Sequence, residues 1–166
     1  KGVLWAGTDD GLIYVTKNDG KSWDNITPPG LPKFTMVSCI EPSSHNPGIA
    51  YVAATGYKND DNTPFLYKTS NYGKDWQLIV DGIPEEDFTR VIREDPFKQG
   101  LLYAGTETGV YISLDDGKKW ESLKFNLPVV PIYDLKIKDG DLIAATHGRS
   151  FWILDDISAL SELSNK

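Results

Sequence analysis

An all-β fold made of propeller blades is predicted by a turn that occurs three times and by the spacing of its copies. The turn has the form (S/T)-x-(D/N)-x-G-x-x-W, and each copy follows an alternating apolar stretch typical of a strand. Its tryptophans, Trp23, Trp76 and Trp120, lie 53 and 44 residues apart. A period of about 40 to 50 residues made of short strands indicates propeller blades rather than helical repeats.

Each residue type in this tryptophan turn has a structural explanation. The hydroxyl and the Asx side chain cap backbone amides in a tight hairpin, the glycine takes a positive φ, and the indole packs over the turn. The residues predicted to be structural are therefore Thr16, Asn18, Gly20 and Trp23, then Thr69, Asn71, Gly73 and Trp76, and finally Ser113, Asp115, Gly117 and Trp120.

A second repeat, upstream of each turn, indicates four blades. It is an apolar pentapeptide ending in threonine, with copies at Leu4–Thr8, Tyr51–Thr55, Leu102–Thr106 and Leu142–Thr146. No tryptophan turn follows the fourth copy. The surrounding strand and turn patterns predict about four antiparallel, four-stranded blades, of which the second and third are complete and the first and last partial.

The sequence thus predicts one domain, a β-propeller arc that is part of a larger propeller and ends in a short C-terminal helix. The predicted blades cover approximately residues 3–33, 34–81, 89–125 and 132–156, and the helix covers 157–163. Asp155 and Asp156 are expected to finish the last strand and cap the helix. Because an open arc exposes sheet edges, the expected partners are the remaining blades of a parent propeller or a second copy of the chain.

Composition excludes several classes of function. A net charge of −7 without a run of Lys or Arg argues against a nucleic-acid partner. No apolar run approaches the roughly 20 residues that span a bilayer, so membrane insertion is not expected. The chain has a single cysteine, Cys39, so a disulfide within this chain is excluded. Cys39 is interpreted as a small buried hydrophobe. No cofactor and no metal are expected.

Candidate binding residues lie on the face opposite the tryptophan turns, where the turns between second and third strands meet the blade-to-blade links. They are Asp9, Asp10, Tyr57, Asp60, Asp61, Glu107, His147 and Arg149. The segment 56–63 is an insertion relative to the neighbouring turns, and an inserted loop on a rim is a usual place for binding contacts. A solvated loop without a ligand explains it as well.

Three chemical roles are open for these residues. Glycoside hydrolysis needs two carboxylates on opposite sides of a bond, and the rim also offers Glu85, Glu86 and Asp87. His147 and Arg149 could contact an anionic or hydroxyl-rich ligand, or Arg149 could pair with Glu107. Tyr57 and Trp152 could stack on sugar rings if exposed. A metal site is not expected, because His45 maps to the opposite face.

The tryptophan turns resemble the Asp-box, or BNR, repeats of sialidases, sortilins and two-propeller xyloglucanases. The closing stretch 144–156, after 126–134, is similar to the propeller end of large secreted bacterial proteins of the sortilin-like or glycosyl-hydrolase-like BNR type. This resemblance implies a secreted protein, extracellular or periplasmic, from a bacterium. The sialidase Arg-Ile-Pro motif is missing, since the nearest string, Phe88-Thr-Arg90, lacks its Ile-Pro.

Three functions follow as hypotheses. The first is a propeller segment that binds a protein or a glycan and is not catalytic by itself. The second is a segment of a xyloglucanase-like glycoside hydrolase, in which the resemblance implies one catalytic Asp from each of two propellers, so that this chain would hold at most one. The third is a purely structural piece of a larger assembly.

Overall fold

Four antiparallel sheets form the structure, a computed structural model that describes residues 2–163. The strands are β1 (Leu4–Gly7), β2 (Ile13–Thr16), β3 (Asp24–Asn25), β4 (Met36–Pro42), β5 (Ala50–Gly56), β6 (Asp61–Thr69), β7 (Gln77–Leu78), β8 (Thr89–Glu94), β9 (Leu102–Thr106), β10 (Val110–Ser113), β11 (Glu121–Ser122), β12 (Ile132–Lys138), β13 (Asp141–Thr146) and β14 (Phe151–Leu154). A 3₁₀ turn, Tyr57–Asn59, precedes β6, and the helix α1 is Ser158–Leu163. None of the described helices is long and apolar enough to cross a membrane.

Each sheet is an up-and-down meander whose strands follow one another in sequence: β1 to β3, β4 to β7, β8 to β11 and β12 to β14. The prediction of an all-β propeller arc with two complete and two partial blades is confirmed. Within residues 2–163, comparison of the pairings shows that the first sheet lacks the inner, first strand of a blade, which is β4 or β8 in the complete sheets. The last sheet lacks the outer, fourth strand, which is β7 or β11 in the complete sheets.

The second sheet has a short outer strand and a paired insertion. Its outer strand is only Gln77–Leu78, and the Trp76 side chain just before it packs in the junction with the first sheet. The inserted segment 56–63 is not an open loop: Asp61 begins β6 and pairs with Gly56 across the 3₁₀ turn. Asp60 closes that turn with a φ of 58°, which Asp tolerates better than most residues.

The predicted position of the pentapeptide repeat is one residue too late in the second sheet. The residue paired with the first residue of the tryptophan turn is Leu4 in the first sheet but Ala50, not Tyr51, in the second. The backbone N–H of Tyr72 in this turn donates to the Gly48 carbonyl at 3.0 Å, which fixes the register. Thr55 therefore falls outside the repeat, and its buried hydroxyl has no partner among residues 2–163.

Apolar residues from facing sheets form the core at three junctions. The first junction contains Ile13, Val52, Ala54 and Phe65; the second contains Tyr51, Leu66, Ile92 and Leu102; the third contains Tyr103, Ile112, Ile132 and Leu142. Sheet packing of this kind makes each blade depend on its neighbours for burial.

The tryptophan turns lock consecutive sheets together. The indole N–H of Trp76 donates to the Ile26 carbonyl of the preceding sheet at 2.6 Å, and that of Trp120 donates to the Ile79 carbonyl at 2.7 Å. Within each turn the hydroxyl accepts from the glycine N–H, as Thr69 does from Gly73 at 2.9 Å. Trp23 in the first sheet has no preceding sheet among the described residues and is 43% exposed.

Candidate functional site

The rim opposite the tryptophan turns carries a cluster of aromatic side chains around one arginine. The Cζ atom of Arg90 lies 5.2 Å from the ring centroid of Tyr57, 4.8 Å from that of Phe88 and 4.4 Å from that of Tyr133. Tyr57 and Phe88 stack at 5.3 Å with an interplanar angle of 10°, and His147 lies 5.0 Å from Tyr133. These residues, together with Glu107, are named the Arg90 cluster.

Glu107 holds the guanidinium of Arg90 in place. Both Nε and Nη2 of Arg90 donate to Oε2 of Glu107, at 3.1 and 2.6 Å. The Arg90 side chain is only 12% exposed, so this ion pair is shielded from solvent more than a surface pair. A cation held between aromatic faces and a carboxylate makes a stiff platform, from which Tyr133 remains half-exposed.

β-Bulges place Arg90 and Tyr133 at the rim. The pairing of β8 with β9 shifts between Thr89 and Val91, and the pairing of β12 with β13 shifts between Ile132 and Asp134. Arg90 and Tyr133 are therefore the extra residues of two equivalent bulges. A bulge re-aims a side chain out of the regular alternation, and such irregularities are frequent next to functional sites.

The structure brings three of the predicted rim residues into this cluster, namely Tyr57, Glu107 and His147. The remaining ones lie elsewhere on the rim. Asp9 and Asp10 lie in the β1–β2 turn, where the Asp10 carboxylate accepts from the Thr8 hydroxyl. Asp61 caps its own turn by accepting from the Thr63 N–H at 3.0 Å, and Asp60 is exposed beside it.

The predicted ion pair between Arg149 and Glu107 is wrong, because Glu107 is already bound by Arg90. Arg149 is exposed in the β13–β14 turn, and its backbone carbonyl accepts from the Trp152 indole N–H at 3.0 Å. Trp152 packs against the core of the third junction, so its ring is not a rim surface for sugar stacking.

Asp87 is a structural carboxylate rather than a catalytic candidate. Its side chain is buried and accepts from the hydroxyls of Thr106, Thr108 and Tyr111 and from the Thr108 N–H. These bonds tie the link before β8 to the β9–β10 turn. A carboxylate with its oxygens occupied by four donors has little capacity left for a ligand.

A second cluster of charged side chains lies on β4, β8 and β12, the first strands of the last three sheets. Arg93 donates from Nη1 to the Cys39 sulfur at 2.9 Å and to Glu41 at 3.1 Å, and from Nη2 to Asp134 at 2.6 Å. Burial raises the pKa of the Cys39 thiol and of the Glu41 carboxyl, and Arg93 opposes both shifts. Cys39 is thus half-buried beside a guanidinium, not the purely apolar core residue expected from sequence.

The sheets and the rim define the class of this protein as a β-propeller arc. No family model matches the chain. Over 106 residues, 63% of its length, it is 27% identical to an oligoxyloglucan-reducing end-specific xyloglucanase of Emericella nidulans. Over 107 residues, also 63%, it is 30% identical to vacuolar protein sorting/targeting protein 10 of Laccaria bicolor. The chain spans only 13% and 7% of the lengths of these relatives.

Solved structures show the same fold at low identity. A GH74 enzyme of Niastella koreensis superposes with a TM-score of 0.69 and 14% identity over 94% of this chain and 27% of that enzyme. YCF48 bound to D1 peptide gives a TM-score of 0.67 and 16% identity over 93% of this chain and 48% of that protein. At these identities the likeness shows the propeller fold alone.

Proposed function

We propose that this chain is a glycan-binding arc of a secreted bacterial propeller of the Asp-box type, and that it is not catalytic by itself. The observation that carries the proposal is the Arg90 cluster on the rim. Tyr133 offers a half-exposed ring beside the exposed His147. The aromatic face suits the C–H face of a sugar ring, and the polar imidazole suits its hydroxyl groups.

A neutral saccharide suits this rim better than a polyanion. The chain carries a net charge of −7, which repels an anionic ligand at long range. The one cation at the centre of the cluster, Arg90, is already neutralised by Glu107. The relative named as an oligoxyloglucan-reducing end-specific xyloglucanase supports a xyloglucan-type saccharide as the ligand class.

The carboxylates of the rim support binding rather than hydrolysis by this chain. A glycosidase needs an acid and a second carboxylate facing each other across the bond. Asp87 is buried within its own hydrogen-bond network, and Glu107 is committed to Arg90. The alternative, a xyloglucanase-like hydrolase formed by a longer parent protein, is favoured by the 27% identity to a xyloglucanase. In that case the remaining carboxylate would come from blades outside this chain. We propose as partners either these remaining blades of a parent propeller or a second copy of the chain.

Calorimetric titration with xyloglucan oligosaccharides tests the proposal. Replacing Tyr133 by Ala should weaken binding at least about tenfold, as expected for an aromatic anchor. The matched control is Phe97→Ala, since Phe97 is also an exposed aromatic residue, at 78%, but lies in the β8–β9 turn on the other face. Unchanged binding by the Tyr133 variant, or binding only of proteins across a broad panel, would overturn it. Release of reducing ends by the isolated chain would contradict the non-catalytic role.

A further inference from the structure

A polar cleft lies along the inner strands of the last three sheets, away from the rim. Its volume is about 300 Å³, which is enough for a small molecule. Arg93 in this cleft follows Arg90 by three residues along β8, so roughly 10 Å of strand separate the cleft from the Arg90 cluster. The lining residues are Glu41, Arg93, Glu94, Pro96, Lys136 and Ile137.

Three charged residues of the cleft occupy the same position in successive sheets. They are Glu41 in β4, Arg93 in β8 and Lys136 in β12. In the strand pairing they lie opposite the second residue of each aligned pentapeptide, namely Tyr51, Tyr103 and Ile143. The repeat of the fold therefore sets one negative and two positive side chains next to one another on the inner strands.

One end of the cleft is acidic. The Glu41 carboxylate accepts from Nη1 of Arg93 at 3.1 Å and from the backbone N–H of Glu94, which leaves it acceptor capacity for a further donor. Oε1 of Glu94 accepts from the Tyr51 hydroxyl and the Gly100 N–H, both at 3.2 Å. Its buried Oε2 has no hydrogen-bond partner among residues 2–163. These two neighbouring carboxylates favour a cationic group of a ligand at this end.

The other end of the cleft is basic. Lys136 is exposed and forms no ion pair with any residue that the structure describes, so its ammonium group is open to a ligand. Arg93 lies between the two ends, because β8 belongs to the sheet between those of β4 and β12. Its guanidinium already donates to Cys39, Glu41 and Asp134. Lys136 is therefore the cation that an incoming anionic group would meet.

We propose that this cleft binds a free α-amino acid with an apolar side chain. The ammonium group of the amino acid faces Glu41, and its carboxylate faces Lys136, so that each end forms charge-assisted hydrogen bonds. Pro96 and Ile137, the apolar residues of the lining, contact the side chain of the amino acid.

The charges of the cleft favour a zwitterion over a simple ion. An anion without a cationic group would meet Glu41 and the net charge of −7. An organic cation without an anionic group would meet Lys136 and leave it unpaired. A metal ion lacks ligands, because no three His, Cys, Asp or Glu side chains of residues 2–163 are grouped to hold one. The two termini of a peptide lie farther apart than the charged groups of one amino acid, so the small cleft suits the free amino acid.

Nuclear magnetic resonance titration of the isotope-labelled chain with L-leucine tests this inference. Leucine should shift the amides of Glu41, Arg93, Lys136 and Ile137. 4-Methylpentanoate lacks the ammonium group and 3-methylbutylamine lacks the carboxylate, so each should bind at least about tenfold more weakly than leucine.

Two lysines of β12 provide a matched pair of variants. Lys136→Met should weaken leucine binding at least about tenfold, because it removes the partner of the carboxylate. Lys138→Met should leave binding unchanged, since Lys138 lies on the same strand but outside the lining of the cleft.

Three results would overturn the inference. The first is no binding of leucine up to about 10 mM. The second is equal binding of leucine and either analogue, which would indicate a site for a simple ion. The third is an equal effect of the two lysine variants, which would place the amino acid elsewhere. The glycan site is tested separately, because Tyr133→Ala should leave leucine binding unchanged.

Discussion

Replacing Gly73 by Ala should destabilise the protein far more than the same replacement at Gly20, although both glycines occupy the same turn position. Their φ values are 81° and 85°, so a side chain meets the same backbone strain at both. A Cβ atom at Gly73 would lie 2.4 Å from Cδ1 and 2.7 Å from Cβ of Ile26 in the preceding sheet. At Gly20 the nearest atoms belong to Trp23, at 3.9 Å.

These distances set the magnitudes. A residue with a Cβ atom that adopts a left-handed conformation lowers the unfolding free energy by about 1–2 kcal/mol. Overpacking a well-filled site lowers it by a further ~1–3 kcal/mol. Because Ile26 Cβ cannot rotate away, the clash at Gly73 requires a shift of one sheet against the next. We expect Gly20→Ala to cost about 1–2 kcal/mol and Gly73→Ala about 2–5 kcal/mol.

Urea unfolding followed by tryptophan fluorescence measures both values under one set of conditions. The difference between the variants isolates the contact between sheets, because the effect of alanine on the unfolded chain is the same at both positions. Equal losses of stability would refute the interlocked packing of the first and second sheets.

Three further predictions concern stability. Trp120→Phe removes the buried hydrogen bond from the indole to the Ile79 carbonyl and should lower the unfolding free energy by about 1–3 kcal/mol. Trp23→Phe should change the unfolding free energy by less than about 0.5 kcal/mol, and urea denaturation of both variants measures the difference. Asp87→Ala leaves its buried donors without an acceptor and should lower the unfolding free energy by about 2–4 kcal/mol, with Asp9→Ala in thermal melts as the control. Burial raises the pKa of Cys39, so the folded state keeps a proton that the unfolded thiol loses, and stability should fall as pH rises above about 8.5; Cys39→Ser should flatten that fall.

The repeats predicted the architecture because they are local signals that recur. A hydroxyl, an Asx side chain, a glycine and an indole at fixed spacing define a turn whatever the rest of the chain does. The one-residue error at Tyr51–Thr55 arose because a similar pentapeptide can be read in two registers. The decisive signal was the glycine two residues before β1, β5 and β9, namely Gly2, Gly48 and Gly100, whose backbone carbonyl accepts an N–H from the tryptophan turn of the same sheet.

The rim was only partly predictable. Loop positions identified Tyr57, Glu107 and His147, because turns between known strands fall on a known face. Arg90 and Tyr133 were missed, since regular alternation says nothing about a bulge, and only strand pairing reveals the extra residue. The bulge in β8 also places Arg90 beside Glu107. The predicted pairing of Glu107 with Arg149 is wrong for this reason.

Nuclear magnetic resonance of the isotope-labelled chain during titration with a xyloglucan oligosaccharide tests the central claim most directly. The binding arc predicts amide shifts concentrated on Tyr57, Arg90, Glu107, Tyr133 and His147, with the tryptophan turns unchanged. Shifts confined to the tryptophan-turn face, or no shifts at saturating sugar, would contradict the assignment of the Arg90 cluster as a glycan site.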